Sequence, residues 1–211
     1  MTSPSIPRPA KPSMRRLVDF FDPAVQGTDP KGRTLDEILS WSDTELERCH
    51  DYIQYVFPLA EQSAANYHAP VLDEETVVIF RNSPALQENV MRTLKRMVSF
   101  YGFALAEEDE EKISETASLN ILPNGNGNSR GLSHWLVPMD HNHLRITRII
   151  RSLRILGLGR AATDFRSALL RVQQSRPRVS SRSVGYWRRA HDEPLQFAPD
   201  GSEVPWLKNF S

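Results

Sequence analysis

The 211-residue sequence predicts an all-α protein: a single compact multi-helix domain of about six to eight helices, with a long irregular loop and an extended C-terminal tail. Three observations predict it. Apolar residues recur at three-to-four spacing, most clearly in Leu86, Val90, Leu94, Met97, Val98 and Tyr101, and again in Ile146, Ile149, Ile150, Leu153 and Leu156. A Ser or Thr followed three residues later by Glu, the start signal of a capped helix, occurs twice in quick succession. No stretch alternates apolar and polar residues in the way a half-buried strand does.

Taken in order, residues 1–13 are rich in Pro and Ser and are expected to be disordered or draped. Residues 14–21 form a short helix that ends at Asp22-Pro23. Gly27, Pro30 and Gly32 mark a loop. Thr34 and Glu37 open a short helix, and Ser42 and Glu45 open a longer one over 43–57, which Pro58 stops. After a loop at 66–70, Asp73 caps a helix containing Val77, Val78 and Phe80. Pro84 then starts another that Gly102 ends. Residues 107–131 read as a long loop, with one turn at 110–116 and a flexible NGNGN stretch at 124–128. A helix over 140–156 stops at Gly157. A further amphipathic helix carries Phe165, Leu169 and Val172 and stops at Pro177, and Tyr186 and Trp187 mark a last short one. The domain therefore spans 14–190. The irregular tail, 191–211, is expected to be pinned to it by Phe197, Trp206 and Phe210.

Composition narrows the function classes. Basic and acidic residues balance at 26 each, so there is no global basic signature for nucleic acid. Charge is uneven, however. EEDEE at 107–111 is acidic, while 145–189 carries many Arg, no Lys and a single acid, Asp164. That half is either a solvated surface facing the acidic loop or an anion-binding face; nucleic acid is the less favoured partner, because no known nucleic-acid motif accompanies it. Cys49 is the only cysteine, which favours a reducing compartment. There is no apolar leader and no apolar run near the ~18 residues needed to span a bilayer, so the expected address is cytoplasm or nucleus.

The candidate chemistry lies on two helices. On the 140–156 helix, projected at about 100° per residue, Asn142 falls inside the apolar face, and His141, Arg145 and Arg148 cluster along its edge. Polar groups on an apolar face require partners. They are either scaffolding, with Asn142 bridging helices and Arg145 paired to Asp51 or Asp140, or a polar patch in an apolar pocket. In the pocket reading His141 or His143 moves protons, and Arg145 holds an anion or an enolate-like oxygen. On the 43–57 helix, His50 and Gln54 are similarly placed: His50 is either a satisfied core histidine or an acid/base group with Gln54 beside it. The expected catalytic set is His50, His141 and Arg145, and the expected ligand contacts are Tyr52, Gln54, Asn66, Tyr101, Trp135, Asn142 and Arg148. No cofactor and no metal are expected. His141 and His143 lie about 200° apart on a helix, a poor geometry for one ion. NGNGN lacks the Gly-Lys-Ser/Thr of a phosphate loop, and there is no nucleophile elbow or dinucleotide fingerprint.

Four segments, in this order, carry a resemblance: LDEILSWSDTELERCHDYIQYVFPL (35–59), NYHAPVL (66–72), the Phe100-Tyr101-Gly102 stop, and Trp135 followed by HNHLRITRIIRSLRILGL (141–158). The chain resembles the conserved domain of the opioid growth factor receptor family over roughly residues 34–190. It departs at Tyr55-Val56, where the family often shows Trp-Leu, and at NGNGN, which looks like an insertion. The resemblance implies a helical domain. It also implies the role of the animal receptor, which binds the pentapeptide Met-enkephalin and acts at the nuclear envelope on growth. It supplies no catalytic residues. The family's long repeat-bearing tail is not in this sequence, so the domain is expected to work through its own pocket.

Three functions follow. The leading expectation is a cofactor-independent enzyme, a cyclase, isomerase or lyase acting on a largely apolar metabolite in a helical pocket, as in secondary metabolism. The second is a non-catalytic binding module for a peptide or small ligand, as in the animal receptor. The third is an Arg-rich nucleic-acid adaptor, recognisable by a steep salt dependence.

Overall fold

The computed structural model describes residues 6–63, 66–106, 119–124 and 130–210. The acidic run at 107–111, the turn expected at 110–116 and positions 125–128 of NGNGN lie outside the described residues.

Helix α1 (Pro12–Phe21) buries Met14, Leu17, Val18, Phe20 and Phe21. Pro12 sits in its first turn, where a missing N–H costs little, so the helix starts two residues before Met14. Arg8 drapes residues 6–11 over the body by pairing with Asp19 at 2.6 Å and with Asp22. Helices α2 (Leu35–Ser40) and α3 (Asp43–Arg48) both open on complete capping boxes, Thr34 with Glu37 and Ser42 with Glu45.

The single helix expected over 43–57 is broken. Cys49 has extended backbone (φ −79°, ψ 127°), and helix α4 (Ile53–Val56) is one turn long. The reason is tertiary: side chains from a later helix take the carbonyls that the break frees, as described below.

Helix α5 (Glu74–Arg81) is capped by Asp73, whose carboxylate accepts from Thr76 N at 3.0 Å. Helix α6 (Pro84–Phe100) starts on Pro84 and ends where Gly102 turns left-handed at φ +85°. The 107–131 region is not all loop. Strand β2 (Ile121–Pro123) pairs antiparallel with β1 (Phe103–Leu105), Ala104 opposite Leu122, and helix α7 (Arg130–Ser133) follows. Three-residue strands are too short to show alternation, so no periodicity marks them.

Gly131 touches Gly102 backbone to backbone; a Cβ on Gly131 would lie 2.4 Å from both Cα and N of Gly102. The segment that holds Gly102 is also tied to Trp135, whose indole N–H bonds the Tyr101 carbonyl at 3.0 Å. Gly131→Ala is therefore expected to lower stability by about 2 kcal/mol through overpacking, read from the urea midpoint of unfolding.

Helix α8 (Asn142–Ile155) is central, packed against α9 (Gly159–Ser175) and α10 (Ser181–Asp192). It ends in a Schellman turn: Leu158 N bonds Leu153 O at 2.7 Å and Gly157 N bonds Arg154 O at 3.2 Å, with Gly157 at φ +92°. Trp135 and Trp187 are fully buried, ring centroids 5.9 Å apart, beside α8. The tail returns along the domain to a closing 3-10 helix (Pro205–Phe210). Its buried anchor is Leu207; Trp206 and Phe210 pack partly against the core, and Phe197 stays 39% exposed. Among the described residues no helix is long and apolar enough to cross a membrane.

Candidate functional site

The backbone from α3 to residue 61 is irregular, so its carbonyls need partners from elsewhere. Helix α8 supplies them, turn by turn. Arg145 donates to Leu46 O at 3.0 Å, Glu47 O at 3.4 Å and Cys49 O at 2.7 Å. Arg148 donates to Phe57 O at 3.1 Å and Ser152 to Pro58 O at 2.8 Å. Arg151 donates through Nε to Glu61 at 2.8 Å and through Nη2 to Leu195 O at 2.9 Å. The first and last of the four segments that carry the family resemblance are thus one structural unit.

A cleft of about 320 Å³ opens between this unit and the tail. Its apolar wall includes Ile53, Leu59, Leu144 and Tyr186, with Ala198 and Pro199 closing the tail side. Its polar lining includes His50, Gln54, Glu61, His141, Arg145, Arg148, Arg151 and Asp200. Among the described residues, three buried atoms of lining residues have no hydrogen-bond partner: Oε1 of Gln54, a residue 4% exposed, Nη1 of Arg151, 1% exposed, and Nε2 of His141, which faces Glu47 without the geometry of a hydrogen bond. Burial pushes the Arg148 guanidinium down to about 10, still a cation at neutral pH.

At one end of the cleft, His50 and His141 meet edge to face with ring centroids 5.1 Å apart, and Arg145 donates to His50 Nδ1 at 3.2 Å. His141 Nε2 faces Glu47 at 3.2 Å and its Nδ1 faces Asp140 at 3.3 Å. Burial and the nearby Arg145 charge nevertheless hold the His141 pKa below the usual value, outweighing the two carboxylates. Among the described residues, Glu47, Asp140 and His141 are the group that could hold a metal, with one ligand atom from each lying within 4.8 Å of the others. Each is already engaged in this network, Glu47 also accepting from Asn142 Nδ2 at 3.0 Å.

Of the residues singled out in the sequence, the cleft brings together His50, Gln54, His141, Arg145 and Arg148. The other five lie elsewhere. Asn142 is fully buried, donating to Glu47 and His134 O and accepting from Tyr101 and Arg145; it bridges elements. Tyr101 and Tyr52 are core residues, and burial raises both hydroxyls, that of Tyr52 to about 12. Trp135 packs against Phe103 and Trp187. Asn66 makes a local turn, its side chain accepting from His68 N at 3.0 Å. Arg145 pairs with neither expected carboxylate: Asp51 is held by Lys31 and by Arg33 at 3.0 Å, and Asp140 accepts Asn142 N at 2.8 Å. His143 is scaffolding; its Nε2 donates to Trp135 O at 2.7 Å and its Nδ1 accepts from Ser183 at 2.9 Å.

The sequence reading missed Arg151, Glu61 and the tail wall. Arg151 was legible: a step of three residues drifts only about 60° on a helix, so Arg145, Arg148 and Arg151 form a stripe rather than spreading around it. Nothing local marks the tail wall.

A helical domain with a cleft lined by both apolar and polar side chains is the kind of architecture in which ligand sites occur. The profile of the opioid growth factor receptor (OGFr) conserved region matches residues 14–192, and the chain belongs to that family. The Rattus norvegicus opioid growth factor receptor is 34% identical over 168 residues, covering 75% of this chain and 26% of that protein. The Homo sapiens receptor is 33% identical over 168 residues, covering 75% and 23%. The Mus musculus opioid growth factor receptor-like protein 1 is 30% identical over 185 residues, covering 80% and 36%. The chain thus spans roughly a quarter to a third of the curated relatives it matches. No solved structure gives a significant match.

These relatives correct the leading expectation of a cyclase, isomerase or lyase. They are named as receptors, a binding role. The geometry gives a physical reason as well: Arg145, expected to hold an enolate-like oxygen, directs its donors to backbone carbonyls instead.

Proposed function

We propose that this chain is a non-catalytic binding module whose ligand, a short peptide or a small organic molecule, enters the cleft along α8. The observation that carries this reading is the set of buried polar atoms without a hydrogen bond, Gln54 Oε1 and Arg151 Nη1 foremost, on residues that line a preformed cleft. Buried polar atoms without partners are rare in folded proteins, and a ligand supplies the missing bonds. The relatives' name, a receptor for an opioid growth factor, supports a peptide ligand for this chain also. At about 320 Å³ the cleft is at the small end of ligand sites, ~300–1,000 Å³, which suits one end of a peptide rather than its whole length.

The arginines of α8 give no support to the nucleic-acid adaptor, because Arg145, Arg148, Arg151 and Arg154 all turn donors onto internal carbonyls rather than outward.

The test is a titration of the isotopically labelled chain with opioid growth factor, followed by amide chemical shifts. Shifts are expected at 53–63 and 144–151. Leu144, 67% exposed on the rim, can be changed without disturbing the core. Leu144→Glu is expected to weaken binding at least ~10-fold with the melting temperature within a few degrees of the parent. Shifts confined to another surface, or an unaltered affinity in Leu144→Glu, would refute this site.

A further inference from the structure

We infer that the cleft recognises a carboxylate: the ligand places its anionic head against Arg148 and Arg151 and its apolar body against Ile53, Leu59 and Leu144. This rests on the binding-module reading and names the chemistry that the site selects.

The first observation is a charge imbalance. Arg145, Arg148 and Arg151 line the cleft, and among the described residues only Arg151 has a carboxylate at ion-pair distance, Glu61 at 2.8 Å. Asp200 also lines the cleft, but it is exposed on the rim, and its carboxylate is engaged by the backbone N–H of Ser202 at 2.9 Å and its hydroxyl at 2.7 Å. Arg145 is matched by the carbonyls of the broken helix. Arg148 is left with one carbonyl bond, to Phe57. Glu61 acts on it only from beyond ion-pair distance, and a guanidinium this enclosed with no carboxylate in contact is costly; a ligand carboxylate removes that cost.

The second observation is geometric. Arg151 is 1% exposed, and Glu61 and Leu195 O hold its Nε and Nη2 in place, which leaves Nη1 as an oriented donor without a partner. Arg148 stands one helical turn earlier, so the two side chains leave the same face of α8. Two guanidiniums on one side of a cleft match the two oxygens of a carboxylate. Gln54 Oε1 offers an acceptor in the same cleft. A simple organic acid uses the arginines alone, whereas the C-terminal residue of a peptide also brings an amide N–H for Gln54. Burial of the Arg148 charge, which lowers its pKa to about 10, agrees with this picture.

The experiment uses the full chain and two pairs of probes: N-acetyl-Leu-Phe with its C-terminal amide, and 4-phenylbutyrate with 4-phenylbutyramide. Affinities are read from amide shifts at 53–63 and 144–151. At least one acid is expected to bind 10-fold or more tightly than its neutral amide. A tighter N-acetyl-Leu-Phe assigns the carboxylate to a peptide terminus, and a tighter 4-phenylbutyrate assigns it to a small acid. The acid preference is expected to vanish in Arg148→Gln. Thr147→Glu keeps every guanidinium but sets a carboxylate on the cleft wall one turn before Arg151; it should also abolish the preference, so the idea stays testable if Arg148→Gln does not fold. Equal affinity of acids and amides at the cleft overturns the carboxylate and leaves the binding module standing. If none of the four probes moves the cleft resonances, the carboxylate is likewise rejected, and the opioid growth factor titration decides the module separately.

Discussion

Arg145→Ala is expected to cost about 3–5 kcal/mol of folding stability, close to the whole stability of many domains of this size, while His50→Ala costs less than ~1 kcal/mol. The difference follows from what each side chain does. Arg145 is 5% exposed and holds Leu46 O, Glu47 O and Cys49 O, the otherwise unsatisfied carbonyl end of α3, where a positive charge also interacts favourably with the negative end of the helix dipole. It also donates to Asn142 Oδ1 at 3.2 Å, which in turn ties α8 to Glu47 and His134. Truncation to Ala leaves these acceptors without their donor, at roughly 1–3 kcal/mol for each one that water cannot reach. His50 is exposed on the cleft rim and only accepts from Arg145. Urea unfolding followed by circular dichroism checks the pair. Arg145→Lys should fall between them, because one ammonium cannot hold three separated carbonyls. An Arg145→Ala protein within about 1 kcal/mol of the parent would show that water replaces the guanidinium and that the break in the 43–57 segment is not maintained by it.

That break is also where the sequence reading of the fold stopped working. Residues 43–57 carry a helix-compatible pattern with a perfect start signal, and no Gly or Pro interrupts it before Pro58. Local preference therefore favours one helix. The observed turn at 49–52 is more favourable only because Arg145, some hundred residues away in sequence, offers partners for the freed carbonyls. Elements whose evidence is local were legible: both capping boxes, Asp73 before α5, Pro84 at the start of α6, and Gly102 and Gly157 at helix ends. The β1–β2 pair was not, since each strand is three residues long and its partner lies across an intervening segment.

The site was legible in half. Projecting α8 identified its polar edge, and His141, Arg145 and Arg148 do line the cleft. Projection gives a direction but no distance. It could not say that Asn142 points at protein rather than solvent, or that Arg145 ends on carbonyls. From the sequence, Tyr101 and Trp135 are expected ligand contacts, yet both are core residues whose polar tips are matched internally, Tyr101 by Asn142 and Trp135 by the Tyr101 carbonyl. The tail wall at Ala198 and Pro199 depends on long-range bonds, Arg151 to Leu195 O and Arg189 to Pro199 O, that no local pattern encodes.

Arg151→Met is expected to be the second severe substitution, again about 3–5 kcal/mol, because it strands the Glu61 carboxylate, whose side chain is 13% exposed, beside an apolar cleft. The same change releases Leu195 O and loosens the tail wall. The cause can be isolated. Glu61→Met alone leaves Arg151 with its carbonyl bond and a cleft open to solvent, so its cost should be smaller. The double variant Arg151→Met/Glu61→Met removes both charges and replaces them with apolar volume; exchanges of this kind are often close to neutral, so most of the lost stability should return. A thermodynamic cycle over the four proteins is expected to give a coupling of at least ~2 kcal/mol, larger than the ~0–1 kcal/mol of an exposed ion pair. Additive costs would mean that the pair is effectively solvated, and the oriented Nη1 donor on which carboxylate recognition depends would lose its physical basis. A strong coupling, with acid preference lost in the refolded double variant, would tie stability and recognition to the same guanidinium.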